Sequence, residues 1–473
     1  MRRKQDIADW LDEHQPRFTR MSDEIWDHPE LQFLEFKASK LQADFLRGEG
    51  FRITWDVGGL STAFVAEWGA GKPVIAFAGE YDALPGLSQK NQNEREPISD
   101  GAPGHGCGHN LLGTGCLAAA VALKEWLQSA GQAATVRYYG CPAEEGGSGK
   151  VFMGRAGAFD DLDVTFNWHP WYTNSAMKGS LLSVNRYYFR FHGKTAHAAA
   201  DPHSGRSALD ALELMNIGVN YLREHVPADV RLHYTILSGG LAPNVVPDFA
   251  ESYYYVRAYE PDTLADVSQR VIRIAQGAAL MTDTEVEIVY KSGSTRVLSN
   301  AVLADLQYAV MRELGGIDFS DEEHVYAKAI NERFGDDNVK TLVNRYGVDQ
   351  EKAERALIGD VFPSRDKDLV SPGSSDMGDM SWFAPCSMLQ TATWASRAAA
   401  HSWGVVATGR TSIGHKGMMY AAKVMALAAA ELILSPAILE KAQDEFRAVV
   451  ERTPYKCPIP DDMPAPSHAH PLR

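Results

Sequence analysis

The sequence predicts an α/β fold in which a larger domain with a mostly parallel sheet carries an inserted ferredoxin-like βαββαβ domain. Three observations predict this fold. In the first segment, 1–182, buried apolar strands run into polar loops and alternate with helices. Between residues 183 and 292 the order of elements changes to β-α-β-β-α-β. The chain of 473 residues is also too long for one ordinary hydrophobic core.

The first segment contains strands that end in polar loops. VIAFAGEYDALP (74–85), ATVRYYGCPAEEGG (134–147) and DLDVTFNWHP (161–170) each read as a buried strand entering a loop. The glycine-rich turn GHGCGHN (104–110) precedes an apolar helix. Because binding sites in parallel sheets form beyond the carboxyl ends of the strands, the polar residues of these loops are expected to meet.

The middle segment has the period-two alternation of a half-exposed strand in SVNRYYFRFHG, followed by an amphipathic helix in SALDALELMNIGVNYLREHV. We therefore predict a smaller inserted domain at 183–292 and a larger domain formed by 1–182 and 293–473. The last long helix of the larger domain is expected to begin near His415. The proline-rich tail, 454–473, is expected to pack loosely or to be disordered.

Composition excludes several classes of protein. The net charge of -15 is the opposite of what a nucleic-acid-binding protein usually shows. Five scattered cysteines do not form a disulfide framework and favour a reducing compartment. The charged N-terminus lacks the apolar core of a signal peptide, and the apolar runs are shorter than the ~20 residues that span a bilayer. A cytoplasmic protein without a membrane partner is expected.

Metal-ligand residue types recur in the polar segments. Cys107 and His109 lie two apart in GHGCGHN, so that both side chains can point the same way, and thiolate and imidazole suit zinc and similar metals. Glu144 and Glu145 are adjacent, so one can bind a metal while the other faces a substrate water. Two carboxylates are costly to bring together unless cations neutralise them. Each pair, taken alone, also fits a structural turn.

Two further histidines extend the set. His169 ends an apolar strand in NWHP, and His415 opens an alanine-rich helix in SIGHKG. Alone, the first also fits a core histidine and the second a capping or surface residue. The convergence of so many ligand types favours a metal site. EEGGSGKV is not a phosphate loop, because Glu144 stands where a glycine is required and valine follows Lys150.

The motifs GEYDALP, GHGCGHN, PAEEGG, NWHP and SIGHKGMMYAAK resemble, in order and over nearly the whole chain, the aminoacylase and carboxypeptidase-like metallopeptidase-amidohydrolase family. Many members of the wider superfamily have a histidine where Glu80 stands and a bridging aspartate where Cys107 stands. The resemblance is to the cysteine-bridged amidohydrolase branch, and ligand assignments from aspartate-bridged members therefore do not transfer directly.

The resemblance implies two divalent metal ions, zinc or manganese, bridged by Cys107. It implies that Glu144 is the general base, that Asp82 supports a ligand histidine, and that His197 reaches the substrate carbonyl, in many members from the partner subunit. The remaining implied metal ligands are His109, Glu145, His169 and His415. The implied substrate-binding residues are Asn244 and Arg257, with Ser375 and Asp376 as further candidates in the pocket-lining segment 371–382.

Three functions fit these residues. The first is a metal-dependent amidohydrolase of N-acyl amino acids, with an aromatic acyl group and glutamate or aspartate as the leaving amino acid. The second is an aminopeptidase or dipeptidase on the same scaffold. The third is a non-catalytic subunit that supports a related hydrolase partner. The resemblance also implies that 1–182 and 293–473 form the catalytic domain and that 183–292 is its lid or dimerisation domain. The free sheet edges of the inserted domain, and the pairing of such domains in the family, predict a homodimer through 183–292.

Overall fold

The computed structural model describes residues 5–364, 369–466 and 468–472. The strands, in chain order, are β1 (Arg52–Trp55), β2 (Phe64–Gly69), β3 (Val74–Glu80), β4 (Thr135–Cys141), β5 (Val164–Trp171), β6 (Asn174–Met177), β7 (Ser180–Leu181), β8 (Ser183–His192), β9 (Arg231–Ser238), β10 (Phe249–Ala258), β11 (Glu285–Ser294), β12 (Val361–Phe362), β13 (Val370–Ser371) and β14 (Cys386–Ala392).

The helices surround these strands. In chain order they are α1 (Asp6–Asp27), α2 (Phe36–Gly48), α3 (His109–Ala130), α4 (Gly149–Arg155), α5 (Ala208–Leu222), α6 (Pro261–Thr282), α7 (Ala301–Leu314), α8 (Asp321–Asn331), α9 (Asp337–Tyr346), α10 (Gln350–Ala353), α11 (Met377–Met380), α12 (Trp403–Thr408), α13 (Ser412–Leu434) and α14 (Pro436–Val450).

The large sheet has the strand order β1-β2-β4-β3-β5-β14-β6-β12. Its centre, β4-β3-β5-β14, is parallel, whereas β2 and β6 pair antiparallel with β4 and β14. Every residue of β3 is buried, as expected for a central strand covered on both faces. The α/β fold class with a mostly parallel sheet is therefore confirmed, and its parallel centre brings four carboxyl strand ends to one edge.

Helix α3 packs closely on β3 because it carries a glycine at the contact. A Cβ at Gly113 would lie 2.3 Å from the carbonyl oxygen of Glu80, so no larger residue fits without displacing backbone. Helix α13 packs against α3 in turn. By length and hydropathy alone α13 could cross a membrane, but 78% of its apolar window is buried inside the protein, as in the core helix of a folded domain.

The second sheet is antiparallel, with the order β11-β8-β10-β9, and helices α5 and α6 cover one of its faces. This is the ferredoxin-like βαββαβ arrangement predicted from the sequence. Phe189, Phe191 and Tyr254 point into the core beneath the helices. The sheet begins at Ser183 and ends at Ser294, two residues beyond the predicted boundary.

The C-terminal part of the chain differs from the prediction. Helix α14 follows α13, so the helix near His415 is not the last long one. The tail is not loose over its described residues, since Tyr455 donates a hydrogen bond to Asp379 Oδ1 at 2.8 Å and Arg155 donates to the Pro460 carbonyl at 2.7 Å. Proline content indicated the absence of regular structure but not the absence of packing.

Candidate metal centre

The metal-ligand residues lie at the carboxyl edge of the parallel strands. Strand β3 ends at Glu80, β4 ends just before the Glu144–Glu145 turn, and β5 carries His169 near its end. His401 lies in the loop that follows β14. Because these four strands are neighbours, residues far apart in sequence converge here.

Two groups of side chains have their ligand atoms within 4.8 Å of one another. One group is Cys107, His109 and His169, and the other is Cys107, Glu145 and His401. The Cys107 sulfur lies 3.3 Å from His169 Nε2, and His401 Nε2 lies 3.5 Å from a Glu145 carboxylate oxygen. The thiol of Cys107 belongs to both groups, which is the arrangement that a bridging ligand requires.

The turn between Cys107 and His109 depends on a glycine. Gly108 has a φ of +78°, in the left-handed region that glycine tolerates best. A Cβ at this position would also come within 3.0 Å of the Pro170 ring. Gly108 thus allows the chain to turn sharply into α3, with Cys107 beside His169 and His109 beside Asp82.

Asp82 holds two members of the groups. Its Oδ1 lies 2.9 Å from His109 Nδ1, and its Oδ2 accepts a hydrogen bond from the Glu145 backbone at 2.9 Å. A proton on His109 Nδ1 shared with Asp82 leaves Nε2 available as a ligand. The supporting contact implied by the family resemblance is present, and it also positions the turn that carries Glu145.

Two ligand atoms of the centre are buried without a hydrogen-bond partner in the described part of the chain. They are His109 Nε2, which lies 3.3 Å from Glu80 Oε2 without forming a hydrogen bond, and Glu145 Oε1. Buried polar atoms are rarely left unsatisfied, and a cation provides the missing partner for a lone pair. The donor set of thiolate, imidazole and carboxylate fits zinc or a similar divalent metal.

Electrostatics agree with a cationic group at this position. Burial raises the pKa of Glu145 to about 8 and also raises the pKa of Glu144 and of the Cys107 thiol. Burial lowers the pKa of His169 to about 4. The protein alone therefore disfavours the anionic forms of these groups, and a divalent cation reverses that preference.

A third group joins Glu144 and Glu80 to His109, again with ligand atoms within 4.8 Å. Glu80 is engaged by the fully buried Lys150, whose Nζ donates to Glu80 Oε1 at 2.7 Å and to Asp376 Oδ1 at 2.6 Å. Within the described residues the Glu144 carboxylate has no such ion pair. Glu144 is thus the carboxylate of this group that no described cation engages, and its predicted role as general base stays a prediction.

The structure corrects one predicted ligand. His415 belongs to none of the groups among the described residues, and its Nε2 instead lies 2.8 Å from Asp23 Oδ1 on α1. The histidine that joins Cys107 and Glu145 in the second group is His401. The backbone of His401 has a φ of +58° and donates a hydrogen bond to the Gly106 carbonyl at 2.9 Å. Such strained non-glycine residues concentrate at functional sites.

The predicted substrate-binding role of Asp376 is also corrected. It is buried, and both of its carboxylate oxygens accept hydrogen bonds from Lys150, so it supports Lys150 and is not placed to bind substrate. Ser375 is half-buried and accepts a hydrogen bond from the Met377 backbone at 3.1 Å. Its predicted contact with substrate stays a prediction.

The predicted catalytic histidine and substrate-binding residues of the inserted domain belong to none of the ligand groups among the described residues. His197 is exposed, and its Nδ1 accepts hydrogen bonds from the Ala199 and Ala200 backbone, which leaves Nε2 free to contact a ligand. Asn244 lies beside it, its carbonyl accepting a hydrogen bond from Ala198 at 3.0 Å. Arg257 is half-buried on β10. Their roles stay predictions.

Comparison with known proteins gives one family. The family model described as Peptidase family M20/M25/M40 matches residues 76–402. The chain is 42% identical to the B subunit of p-aminobenzoyl-glutamate hydrolase from Escherichia coli (strain K12), covering 97% of this chain and 98% of the relative. It is 30% identical to the Xaa-Arg dipeptidase of Mus musculus, over 95% and 93%.

A solved structure shares the fold. It is a dinuclear metal-binding M20 peptidase from Bacillus subtilis, with a TM-score of 0.57, 20% identity and coverage of 89% of this chain and 99% of that one.

Proposed function

We propose, since this chain belongs to peptidase family M20/M25/M40, that it hydrolyses the amide bond of N-acyl amino acids with two divalent cations. The substrate class that we favour has an aromatic acyl group on glutamate or aspartate, as in p-aminobenzoyl-glutamate. The observation that carries the proposal is the pair of ligand groups that share Cys107, with the Glu144 carboxylate beside them.

The chain's own residues divide the work of holding the cations. We assign one cation to Cys107, His109 and His169 and the other to Cys107, Glu145 and His401. Zinc and manganese both suit this donor set. When bound, such a pair of cations supplies Lewis acidity that polarises a carbonyl and acidifies water.

Glu144 moves the proton in this proposal. Its carboxylate takes a proton from the attacking water and later delivers it to the nitrogen of the leaving amino acid. Asp82 keeps the His109 ring and the Glu145 backbone in place while this happens. Lys150 holds Glu80 in an ion pair, so that Glu80 does not compete for the same proton.

The substrate class rests on similarity and on charge. The relative with 42% identity is named for p-aminobenzoyl-glutamate, whose leaving amino acid has two carboxylates. Arg257 has no carboxylate partner among the described residues, and its guanidinium can hold a free α-carboxylate through two parallel hydrogen bonds.

Two other functions remain as candidates because specific relatives favour them. The similarity to an Xaa-Arg dipeptidase favours dipeptide hydrolysis on the same scaffold. The relative with 42% identity is one of two named subunits of its hydrolase, and 52% of this chain matches the other one at 29% identity. This similarity favours the other candidate, a non-catalytic subunit that supports a second, related hydrolase subunit.

A homodimer would supply a residue that the site lacks. His197 lies on the exposed end of the inserted domain, and its hydrogen bonds within the described residues stay in its own loop, away from the ligand groups of its own chain. We propose that pairing through the inserted domain brings His197 to the partner's site, where it stabilises negative charge on the substrate carbonyl oxygen.

The test is turnover by the purified full-length chain on its own. N-aroyl-glutamate, N-acetyl amino acids and an Xaa-Arg dipeptide are each incubated with chelator-treated protein and with the same protein given zinc or manganese. The proposal expects metal-dependent release of the amino acid, fastest from the N-aroyl-glutamate. Full-rate hydrolysis by the chelator-treated protein would contradict it, and turnover that needs an added second subunit would favour the supporting role.

A further inference from the structure

The face of the inserted sheet that is not covered by α5 and α6 carries two arginines side by side. Arg186 on β8 is directly opposite Tyr255 on β10, and Arg257 lies two residues further along β10 on the same face. The guanidinium carbons of Arg186 and Arg257 lie 5.0 Å and 5.1 Å from the centre of the Tyr255 ring.

These two cations have no carboxylate partner among the described residues. Arg186 is 4% exposed, and its Nε is buried without a hydrogen-bond partner, as is Nε of Arg257. Burial and the nearby charge of Arg186 lower the pKa of Arg257. A buried and a half-buried positive charge without an anion between them are unfavourable, so the arrangement indicates a ligand that brings negative charge.

Arg186 is also fixed against the loop that carries the catalytic glutamate. Its guanidinium donates to Ser148 Oγ at 3.0 Å and to Ser292 Oγ at 3.2 Å. Ser292 in turn donates to the Gly146 carbonyl at 2.8 Å, two residues from Glu144. The arginine pair therefore lies on the side of the inserted domain that faces the metal centre.

We propose that Arg186 is the specificity-determining residue for an acidic side chain on the leaving amino acid, while Arg257 holds its α-carboxylate. This inference rests on the proposed function and deepens it. Arg186 is the more enclosed of the two and is held by two serine hydroxyls, so it lies at the closed end where a side chain terminates. A substrate with two carboxylates brings one anion for each guanidinium.

The same arrangement disfavours a cationic leaving residue. An arginine side chain in this position would add a third positive charge beside Arg186 and Arg257, and like charges repel strongly in a partly desolvated site. The arginine pair thus separates acidic N-acyl amino acids from Xaa-Arg dipeptides.

The test compares N-(4-aminobenzoyl)-L-glutamate with N-(4-aminobenzoyl)-L-glutamine, which differ only in a carboxylate or a carboxamide at the end of the side chain. The full-length, metal-loaded protein should have a kcat/KM about 10- to 100-fold higher for the glutamate substrate, as expected for charge-assisted hydrogen bonds. Arg186→Gln should remove most of this preference. The kcat/KM for the glutamine substrate should stay within about threefold of its value in the unmodified protein.

Arg190→Gln is the matched control. Arg190 lies on the same strand and face, but it is already paired with Glu251, so both substrates should be unaffected. Arg257→Ala should lower kcat/KM by a similar factor for both substrates, because both keep the α-carboxylate. If Arg186→Gln lowers kcat/KM by the same factor for both substrates, Arg186 only connects the sheet to the loop, and the inference is overturned. The inference is also overturned if neither kcat/KM value changes.

Product binding separates this inference from the proposed function. If the protein hydrolyses neither substrate, the proposed function fails, and calorimetry with L-glutamate and L-glutamine decides the role of Arg186. Tighter binding of glutamate that is lost in Arg186→Gln supports the inference, whereas equal binding of both amino acids overturns it. If Arg186→Gln does not fold, Arg186→Lys replaces it: a preference reduced severalfold supports the inference, and an unchanged one overturns it.

Discussion

At the scale of single residues, the two adjacent glutamates should have separable roles. Glu144→Gln removes a base but keeps its shape, so metal content should persist while kcat falls by about 10²- to 10⁴-fold. Glu145→Gln replaces a ligand, so metal content should fall first. Metal analysis beside turnover checks both, and the reverse pattern would mean that base and ligand have been exchanged.

The observed and the predicted ligand histidine, His401 and His415, form a second residue-scale test. His401→Ala should reduce metal content from about two ions per chain to about one and abolish most activity, because Nε2 of His401 lies against Glu145. His415→Ala is the control, since that ring pairs with Asp23 outside the ligand groups. Loss of metal only in the His415 variant would restore the original sequence prediction.

At the scale of elements, the contact between α3 and β3 depends on a missing side chain. A Cβ at Gly113 would meet backbone at 2.3 Å, so Gly113→Ala should destabilise the protein by about 1–3 kcal/mol through overpacking. In α6, a Cβ at Gly277 meets nothing within 4 Å, and Gly277→Ala should stabilise by roughly 0.5–1 kcal/mol through helix propensity.

Thermal unfolding of both variants at equal metal concentration checks this prediction. Since both substitutions place alanine inside a helix, their difference reports the packing of α3 on the sheet and not helix propensity. Equal stabilisation of the two variants would show that α3 can move away from β3 without cost.

At the scale of the whole molecule, strand β9 offers a free edge. It lies at the end of the second sheet, β11-β8-β10-β9, and its Ile236 and Leu237 side chains are 45% and 51% exposed. Apolar edges of this kind are usually paired or covered. We expect a homodimer in sedimentation, and Ile236→Lys should shift it toward the monomer with loss of activity if His197 acts on the partner.

The control for this substitution is Val325→Lys on α8, which changes an exposed apolar residue of the catalytic part without touching the inserted domain. Its sedimentation should match that of the unmodified protein. A dimer that survives removal of 183–292 would count against pairing through the inserted domain.

Much of this molecule could be predicted from its sequence because the signals are local. Alternating and buried strands, their order, and the ligand pairs in GHGCGHN and PAEEGG each lie within a short stretch of chain. The ferredoxin-like insert follows from the order of its strands and helices. The meeting of Cys107, His109, Glu145 and His169 follows from the rule that parallel strands place their carboxyl ends at one edge.

What only the tertiary structure decided involves residues brought together across long separations. His401 lies near Glu145 because β14, the strand before its loop, pairs with β5. The sequence around His401 does not predict that pairing. The roles of Lys150 and Arg186 likewise become recognisable only from their burial, Lys150 beside Glu80 and Arg186 beside Tyr255. The type of a side chain determines which chemistry it can perform. Its burial, its charged neighbours and its distance from other groups are properties of the folded chain, and they determine which candidate residues perform that chemistry.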